Sequence, residues 1–510
     1  MAAFSAQDLR NVDVAQQQPR ANPHAGRLAA LAQAMAREQK PSAISRIVFE
    51  GCVRIGEFAL VTAAGFAMNS FYIAPTHGYM AAYVGAIPLI AVLIVLALQI
   101  LGLYTINALQ TFKSKILRLV GGFTLVFLAA LSFLFFSKLD QAYSRVFILG
   151  WYLFGLALVI VERGILSRTV RHMIRTEMLV RRTVIVGGGP AADQMIGQLA
   201  AAPQTDLQLL GIFDDRTDER SPDIVAGLPK LGTVDDLVEF ARNTRIDLVI
   251  FTLPITAEQR LLQMLRKLWV LPVDIRLAAH MSKLRFRPRS YSYIGPVPVF
   301  DVFDKPLADW GVVFKTLFDK IVGSLCLVLL APVLAGVAIA VKLDSKGPIL
   351  FKQKRYGFNN ELIEIYKFRS MYADKLDYDV KVQVTKGDPR VTRVGRFIRK
   401  ASLDELPQLF NVVFKGNLSL IGPRPHAVTA KAAERQYDEV VDGYFARHRV
   451  RPGITGWAQI HGWRGETDTS EKIQNRVAHD LYYIENWSIL LDCYILMATP
   501  LALLKTENAY

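Results

Sequence analysis

The sequence predicts a membrane protein that combines α-helical and α/β parts, and three observations lead to this fold class. The 510 residues are 52% hydrophobic with a mean hydropathy of +0.25, more apolar than an ordinary soluble globule. Four long apolar runs stand in the first third of the chain, and a glycine-rich pattern typical of a strand, a turn and a helix follows them. We therefore expect a four-helix transmembrane anchor, then a Rossmann-like cytoplasmic domain, then a mostly α-helical domain with a re-entrant membrane helix.

Composition narrows the classes of partner and of site. Lys and Arg outnumber Asp and Glu by 60 to 45, which gives a formal net charge of +15. Such a charge suits an anionic membrane, a phosphorylated substrate or a nucleic acid. Three cysteines exclude a disulfide framework and a CxxC metal site, and the eight histidines lack the spacing of a zinc enzyme.

The N-terminal third predicts a tail and a membrane anchor. Residues 1–45, rich in Ala, Gln and Arg, predict a disordered cytoplasmic tail. Residues 46–166 contain the four apolar runs, each close to the ~20 residues that a helix needs to cross a bilayer. The runs span about 55–74, 80–104, 116–136 and 146–165. Fourteen Lys and Arg residues lie on one side of these runs against two on the other. This asymmetry predicts that the N-terminus and everything after residue 166 lie on the cytoplasmic side of the membrane.

Residues 180–300 predict a Rossmann-like domain. The segment Arg181–Pro190 has the pattern of a buried strand that enters a glycine turn, and Gly187, Gly189 and Ala192 fit G-x-G-x-x-A. Further strands are expected at Leu207–Phe213, which precedes Asp214, and at 246–253. Gly187 and Gly189 are therefore candidate cofactor-binding residues, although the same turn also serves simple strand–helix packing.

A fifth apolar run, Ile321–Val341, is long enough to cross the membrane, but we expect it to turn back. Pro332 lies at its centre, where it removes a backbone hydrogen bond and bends the helix. A crossing would carry residues 342–510, which hold the densest cluster of phosphate-binding residue types, out of the cell. We therefore predict a re-entrant helix over about 315–342 within a domain spanning 310–510, with a full span as the alternative.

Six motifs, basic or built around prolines, lie between residues 350 and 465 and predict an anion-binding site. They are Phe351–Gly357, Tyr366–Met371, Asp388–Arg396, Phe397–Pro407, Leu420–Pro425 and Arg451–Gln459. Proline-rich turns that fix single arginines suit a small anion better than a nucleic-acid backbone, so no nucleic-acid partner is expected. The chain has no Walker A motif, which excludes a P-loop kinase at the motif level.

Asp404 and Glu405 form an acidic pair inside one of these basic motifs, and two interpretations stay open. Ser402-x-x-Glu405 has the form of a helix capping box, but Pro407 would then stand where a helical N–H is needed. Alternatively, Asp404 is a carboxylate nucleophile, and Glu405 helps to hold a divalent metal or to position a phosphate.

These motifs resemble those of polyprenyl-phosphate glycosyl-1-phosphate transferases of the large bacterial type, which initiate exopolysaccharide assembly. The resemblance covers nearly the whole chain and includes RKxSLDELPQ, the GPRP turn and RPGITGWAQ. It implies that a UDP-sugar and undecaprenyl phosphate give undecaprenyl-diphosphate-sugar and UMP. It also implies a CoA-binding-like middle domain, a homodimer and hand-over to downstream glycosyltransferases.

The resemblance also implies roles for individual residues. Asp404 would attack the sugar-bound phosphorus and form a covalent aspartyl intermediate, and Asp404 and Glu405 would be the Mg²⁺ ligands. Arg399 would hold phosphate, and Arg424 would contact the uridine side of the donor. Four further basic positions match the family as substrate-binding residues with loosely assigned roles. They are Lys367, Arg369, Arg390 and Arg393.

The choice of sugar and two other classes of function stay open at this stage. The stretches 462–469 and 480–487 look like those of the glucose-transferring branch, so UDP-glucose is the first expectation and UDP-galactose the second. A nucleotide-sugar oxidoreductase would need a Tyr-x-x-x-Lys pair, which residues 180–300 lack. A non-catalytic scaffold of a polysaccharide assembly complex is the alternative from a different class.

Overall fold

The structure is a computed structural model of the chain, and it divides into two compact units, residues 41–180 and a larger unit that contains residues 181–510. The described residues are 35, 44–77, 81–138, 143–201, 207–216, 222–253, 257–278, 292–294, 296–373, 388–426, 431–432, 435–437, 441, 443–463, 465 and 469–504. The predicted disordered tail, residues 1–45, therefore lies almost entirely outside them.

The described residues of the first unit form four long helices. They are α1 (Arg46–Met68), α2 (Ala81–Ile100), α3 (Phe112–Phe136) and α4 (Arg145–Arg175). α1 continues as a π-helical turn, Asn69–Ile73, and a short helix, Ala74–His77; another short helix, Ile106–Gln110, precedes α3. Ser45 and Ser144 cap α1 and α4 by accepting from the backbone N–H groups of Val48 and Phe147.

Aromatic packing and one buried ion pair hold the four helices together. Trp151 is buried and donates its indole N–H to the carbonyl of Val61 at 3.0 Å. Gly65 permits this approach, because a Cβ there would lie 2.9 Å from the Trp151 ring. Arg163 and Glu57 form a buried ion pair at 2.5 Å between α4 and α1.

The unit has the length and composition of a membrane anchor. Among the described residues, Ala82–Ile100, Phe112–Phe136 and Arg145–Arg175 are long and apolar enough to span a bilayer. α1, which carries charged residues in its first half, is not one of them. Three helices of the described residues thus fit the predicted membrane anchor, whereas the predicted count of four spanning helices is not confirmed.

The larger unit opens with an eight-stranded, parallel-rich sheet among the residues that the structure describes. Its strands are β1 (Arg181–Val186), β2 (Leu207–Phe213), β3 (Ile224–Val225), β4 (Leu228–Gly232), β5 (Leu248–Phe251), β6 (Asp274–Ala278), β7 (Ser292–Ile294) and β8 (Val297–Phe303). The spatial order is β3-β4-β2-β1-β5-β6-β8-β7, with β4, β2, β1, β5 and β6 parallel. Helices α5 (Pro190–Ala201), α6 (Val234–Asn243) and α7 (Glu258–Leu268) accompany the sheet. The predicted α/β pattern, including the strand Leu207–Phe213, is confirmed.

A bent pair of apolar helices leads from the sheet to the remaining elements. α8 (Asp309–Leu329) and α9 (Ala331–Asp344) meet at an angle of 60° around Leu330, and Pro332 is the second residue of α9. Proline is well tolerated there because the first N–H groups of a helix have no helical partner. The break therefore lies where the sequence placed it, and its geometry suits either a broken span or a re-entrant loop.

The C-terminal elements pack against the sheet region in the same unit. They are β9 (Leu350–Tyr356), β10 (Leu362–Phe368), α10 (Arg393–Lys400), β11 (Ser419–Ile421), β12 (Gly453–Thr455), α11 (Ser470–Glu485) and α12 (Ile489–Leu504), with short helical turns at Phe358–Asn360, Leu403–Glu405, Gln408–Phe410, Asn411–Lys415, Tyr444–Arg449 and Trp457–Ile460 and a two-stranded pair at Lys431–Ala432 and Arg435–Gln436. Arg242 of α6 lies over the Phe445 ring at 5.1 Å, and Asn359 donates to the carbonyl of Ala241 at 3.0 Å. Helix α6, which accompanies the sheet, thus contacts the C-terminal elements directly.

Candidate active site

The acidic pair Asp404 and Glu405 lies on a single turn of 3₁₀ helix, Leu403–Glu405, just after α10. Ser402 enters this turn in the left-handed region, at φ 57°, and its side chain makes no capping hydrogen bond. Pro407 then begins the next short helix, Gln408–Phe410, where its missing N–H costs nothing. The capping-box interpretation is therefore wrong, and the pair is available for another role.

Glu405 is held by two basic side chains from separate motifs. Lys367 on β10 donates to its Oε1 at 2.9 Å, and Arg424 donates to both carboxylate oxygens at 2.6 and 3.0 Å. Burial alone would raise the pKa of Glu405, but Arg424 and Lys367 outweigh it and hold that pKa below its usual range. Glu405 is thus an ionised anchor that fixes the positions of Lys367 and Arg424.

Asp404 is placed differently from its neighbour. None of the described residues makes a hydrogen bond or an ion pair with its carboxylate, which is half-buried. Burial and the adjacent negative charge of Glu405 raise the pKa of Asp404 to about 6. Three cations, Lys367, Arg399 and Arg424, act in the opposite direction and favour its ionised form. Asp404 is the open carboxylate of the site.

Backbone packing between two motifs places Arg424 opposite Glu405. The turn Gly422–Pro425 follows β11, and the segment Arg451–Gly453 leads into β12, which runs parallel to β11. Gly422 donates to the carbonyl of Thr455 at 2.9 Å, and a Cβ on Gly422 would lie 2.6 Å from the carbonyl oxygen of Arg451. Glycine is required because the two backbones touch.

The other predicted substrate-binding residues differ in their burial and in their partners. Arg399, at the end of α10, is half-buried and close enough to Asp404 to lower its pKa. Arg390 forms an ion pair with Asp388 at 2.6 Å and, with Arg399, lowers the pKa of Asp388 to about 2. Arg393 is exposed at the first position of α10.

Arg369 is directed away from the acidic pair. Its guanidinium is buried and donates to the carbonyls of Lys346, Ser345 and Val341 at 2.6, 2.8 and 3.4 Å. These carbonyls belong to the last turn of α9 and the residues after it, which have no helical partners of their own. Arg369 therefore caps the C-terminal end of α9, and its hydrogen bonds within the described part of the chain go to these carbonyls rather than to Glu405.

A buried network that the sequence did not predict lies behind Arg424. Arg447 is fully buried, donates to the carbonyl of Arg424 at 2.7 Å and pairs with Asp480 at 2.5 Å. Arg447 also contacts Nδ1 of His426 at 2.6 Å. Asp480 belongs to a stretch that resemblance linked to sugar choice, yet its carboxylate is engaged by Arg447. In the sequence, only its apolar neighbours on α11 could have suggested a structural role for Asp480. They are Leu481, Tyr483 and Ile484.

The glycine turn of the sheet is occupied by the protein's own groups. Gly187 and Gly189 have φ values of 99° and 94°, as the tight turn requires. Between them, the N–H of Gly188 donates to Oδ2 of Asp214 at 2.7 Å, and Arg216 donates to the same oxygen at 2.7 Å. A backbone N–H that would face a pyrophosphate is therefore bonded to Asp214.

The residues fit Mg²⁺ only as an ion that a substrate helps to hold. The described part of the chain contains no group of three His, Cys, Asp or Glu side chains arranged for a metal. Mg²⁺ commonly takes one or two carboxylates and completes its shell with substrate phosphates and water. Asp404 offers an open carboxylate, whereas both oxygens of Glu405 are engaged by Lys367 and Arg424.

Comparison with known proteins assigns the family. A family model described as bacterial sugar transferase matches residues 310–506, and one described as CoA-binding domain matches residues 99–279. The UDP-glucose:undecaprenyl-phosphate glucose-1-phosphate transferase of Klebsiella pneumoniae is 38% identical over 401 residues, which cover 78% of this chain and 84% of that protein. The chain belongs to the bacterial sugar transferases. The expected membership among polyprenyl-phosphate glycosyl-1-phosphate transferases is confirmed, and the protein is a transferase enzyme.

Two further relatives of this bacterial sugar transferase differ in the sugar that their names state. The undecaprenyl-phosphate glucose phosphotransferase of Komagataeibacter xylinus is 40% identical over 361 residues, 71% of this chain and 66% of that protein. The UDP-N-acetylgalactosamine-undecaprenyl-phosphate N-acetylgalactosaminephosphotransferase of Aeromonas hydrophila is 43% identical over 182 residues, 36% of this chain and 41% of that protein. Relatives of similar identity to this chain thus have names that state different donor sugars.

Proposed function

We propose that the protein transfers glucose 1-phosphate from UDP-glucose to undecaprenyl phosphate and releases UMP, as the first step of exopolysaccharide synthesis. The observation that carries the proposal is the contrast within the acidic pair. Glu405 is neutralised by Lys367 and Arg424, while Asp404 has an open carboxylate among cations that can hold phosphate. The names of the relatives that match over most of this chain support glucose as the sugar.

The first half of the reaction is an attack by Asp404 on the donor. One carboxylate oxygen of Asp404 forms a bond to the sugar-bound phosphorus of UDP-glucose, and the bond from that phosphorus to the bridging oxygen breaks. UMP leaves with the electron pair, and a phosphoglucosyl group stays on Asp404 as an acyl phosphate. Arg424 and Lys367 stabilise the negative charge that spreads over the phosphoryl oxygens and the leaving group.

The second half returns Asp404 to its free form. A phosphate oxygen of undecaprenyl phosphate attacks the same phosphorus, and the bond to the Asp404 oxygen breaks. The products are undecaprenyl-diphosphate-glucose and a carboxylate ready for another donor. No proton transfer is required, because both the attacking phosphate and the departing carboxylate are anions.

Mg²⁺ is part of the proposal, with Asp404 as its main protein ligand and Glu405 beside it. While Mg²⁺ and the donor are both bound, the ion would neutralise negative charge on the donor's phosphates. Arg399 would hold a phosphate from the end of α10. Arg393 would contribute to the positive field around that phosphate, whereas the charge of Arg390 is balanced by its ion pair with Asp388.

We further propose that α8 and α9 enter and leave the bacterial inner membrane from its cytoplasmic face, and that α1 to α4 form a four-helix anchor in the same membrane. The 60° bend at Leu330 supports this arrangement, as do the apolar side chains that both helices expose. These side chains include Ile321, Leu325, Val328, Leu329, Ile339 and Leu343. A homodimer, and hand-over of the product to downstream glycosyltransferases, complete the proposal by family resemblance.

UMP release by the purified full-length protein tests the proposed function. Protein, Mg²⁺ and undecaprenyl phosphate are combined with UDP-glucose, UDP-galactose or UDP-N-acetylgalactosamine in turn. We expect UMP from UDP-glucose, its loss in Asp404→Asn, and no loss in Asp235→Asn, a change at an exposed ion pair. Release from another donor alone would replace the sugar but keep the reaction. If the folded protein releases no UMP from any donor, the proposal fails and the scaffold alternative gains support.

A further inference from the structure

Arg355 shares a face of the β9–β10 hairpin with a residue of the acidic site. The antiparallel register pairs Arg355 with Ile363, Gln353 with Ile365 and Phe351 with Lys367. Paired residues lie on the same face of a sheet, and alternate residues along a strand do so as well. Arg355, Gln353 and Lys367 therefore share the face from which Lys367 reaches Glu405.

The side chain of Arg355 is oriented but not neutralised. Its Nε and Nη2 donate to Oε1 of the buried Gln353 at 3.2 and 2.6 Å. No carboxylate among the described residues forms an ion pair with Arg355, although Lys367 and Arg424 both pair with Glu405. Gln353 is a neutral acceptor, so it fixes the plane of the guanidinium and leaves its positive charge in place.

The site as a whole has more positive charge than its own carboxylates can balance. Burial and the nearby charge of Arg424 lower the pKa of Arg355 to about 10, so it stays protonated at neutral pH. Four cations, Arg355, Lys367, Arg399 and Arg424, thus surround two carboxylates, Asp404 and Glu405. A half-buried excess of cations is costly unless an anion binds among them. The excess of two positive charges equals the two negative charges of a nucleotide-sugar diphosphate, which is esterified at both ends.

We propose that Arg355 binds the diphosphate of the nucleotide-sugar donor. This inference rests on the proposed function, because it assigns Arg355 to the same donor. A guanidinium held in plane by Gln353 can present its remaining N–H groups to phosphoryl oxygens in a fixed orientation. The polyprenyl phosphate acceptor offers the same chemical group, and the experiment separates the two substrates.

The experiment compares Arg355→Gln and Arg355→Lys with Lys354→Gln, the exposed neighbour on the opposite face of β9. UDP binding to the full-length protein is measured by calorimetry, and KM is measured for UDP-glucose and for undecaprenyl phosphate. We expect Arg355→Gln to weaken UDP binding and raise the donor KM about 10- to 100-fold, the range for a lost hydrogen bond to a charged group. Arg355→Lys should recover part of the loss, and Lys354→Gln should stay within about 2-fold of the wild type.

Two results would overturn the assignment. Unchanged UDP affinity and donor KM in folded Arg355→Gln and Arg355→Lys would show that Arg355 does not contact the donor. A rise in the KM for undecaprenyl phosphate alone would assign it to the acceptor. If Arg355→Gln does not fold, the comparison rests on Arg355→Lys, which preserves the charge but not the planar fork. Because UDP binding needs no turnover, this test stands even if wild-type protein releases no UMP and the proposed function fails.

Discussion

Asp480→Asn should strongly destabilise the larger unit, because it leaves the buried charge of Arg447 without its counter-ion. The two side chains are 0% and 3% exposed, and their closest atoms are 2.5 Å apart. Removal of one partner of a buried ion pair typically costs about 3–5 kcal/mol. Asparagine can still accept a hydrogen bond, and the contacts of Arg447 with His426 and the Arg424 carbonyl persist. We therefore expect a loss near the lower end, about 3 kcal/mol.

Thermal unfolding in detergent measures this loss, with Asp235→Asn as a matched control. Asp235 pairs with Lys267 at 2.7 Å, but these side chains are 68% and 44% exposed. An exposed pair contributes about 1 kcal/mol or less. At roughly 2–4 °C per kcal/mol, Asp480→Asn should lower Tm by about 6–12 °C and Asp235→Asn by no more than about 4 °C. Equal shifts in the two variants would refute the argument that burial makes Asp480 essential.

Three further predictions concern pH, metal and topology. Burial and the charge of Arg447 hold the pKa values of His426 and His448 well below 6.5. Below pH 6.5 the unfolded chain therefore binds protons that the folded protein does not. The free energy of unfolding should fall between pH 7 and 5 by up to about 1.4 kcal/mol per pH unit for each histidine. His426→Gln should flatten this dependence and the exposed His461→Gln should not; an unaltered slope in His426→Gln would contradict the assignment. Excess EDTA should abolish UMP release and added Mg²⁺ should restore it, whereas full activity in EDTA would remove the metal role of Asp404. In a cysteine-free background, Glu361→Cys should react with a membrane-impermeant maleimide only after lysis, and labelling in intact cells would rule out the re-entrant arrangement.

Local patterns predicted the elements well, because each depends on residues close together in the chain. The strand Leu207–Phe213 has the predicted bounds, and the helix break lies at Leu330, next to Pro332. An apolar run of about 20 residues, and a proline that interrupts a helix, can be read directly from the sequence. The number of membrane spans was less predictable. The helix α1 begins before the apolar run and includes charged residues, so it is not among the helices apolar enough to span a bilayer.

The sequence named Lys367, Glu405 and Arg424 as candidate site residues but did not predict the contacts between them. These residues come from three motifs that are far apart in the sequence, and nothing in the motifs indicates which basic residue pairs with Glu405. Arg369 lies two residues after Lys367, yet it binds the end of α9 because β10 ends at Phe368. No sequence rule distinguishes a basic residue that binds substrate from one that closes a helix.

Pairings between distant buried residues were not predictable. Arg447 and Asp480 are 33 positions apart and both look like surface residues in the sequence. Asp214 occupies the expected position after β2, but its bond to Gly188 becomes visible only in three dimensions. In each case the partner is supplied by tertiary packing, which local patterns do not contain.

Direct capture of the covalent intermediate tests the central claim about Asp404. Full-length protein is incubated with Mg²⁺ and UDP-glucose labelled in the sugar, without acceptor, and the protein-bound label is then measured. We predict close to one label per active site, its release on addition of undecaprenyl phosphate, and its absence in Asp404→Asn. Peptide mapping should locate the label at Asp404 itself. Turnover with no protein-bound label, or label retained in Asp404→Asn, would contradict the role of Asp404 as the nucleophile.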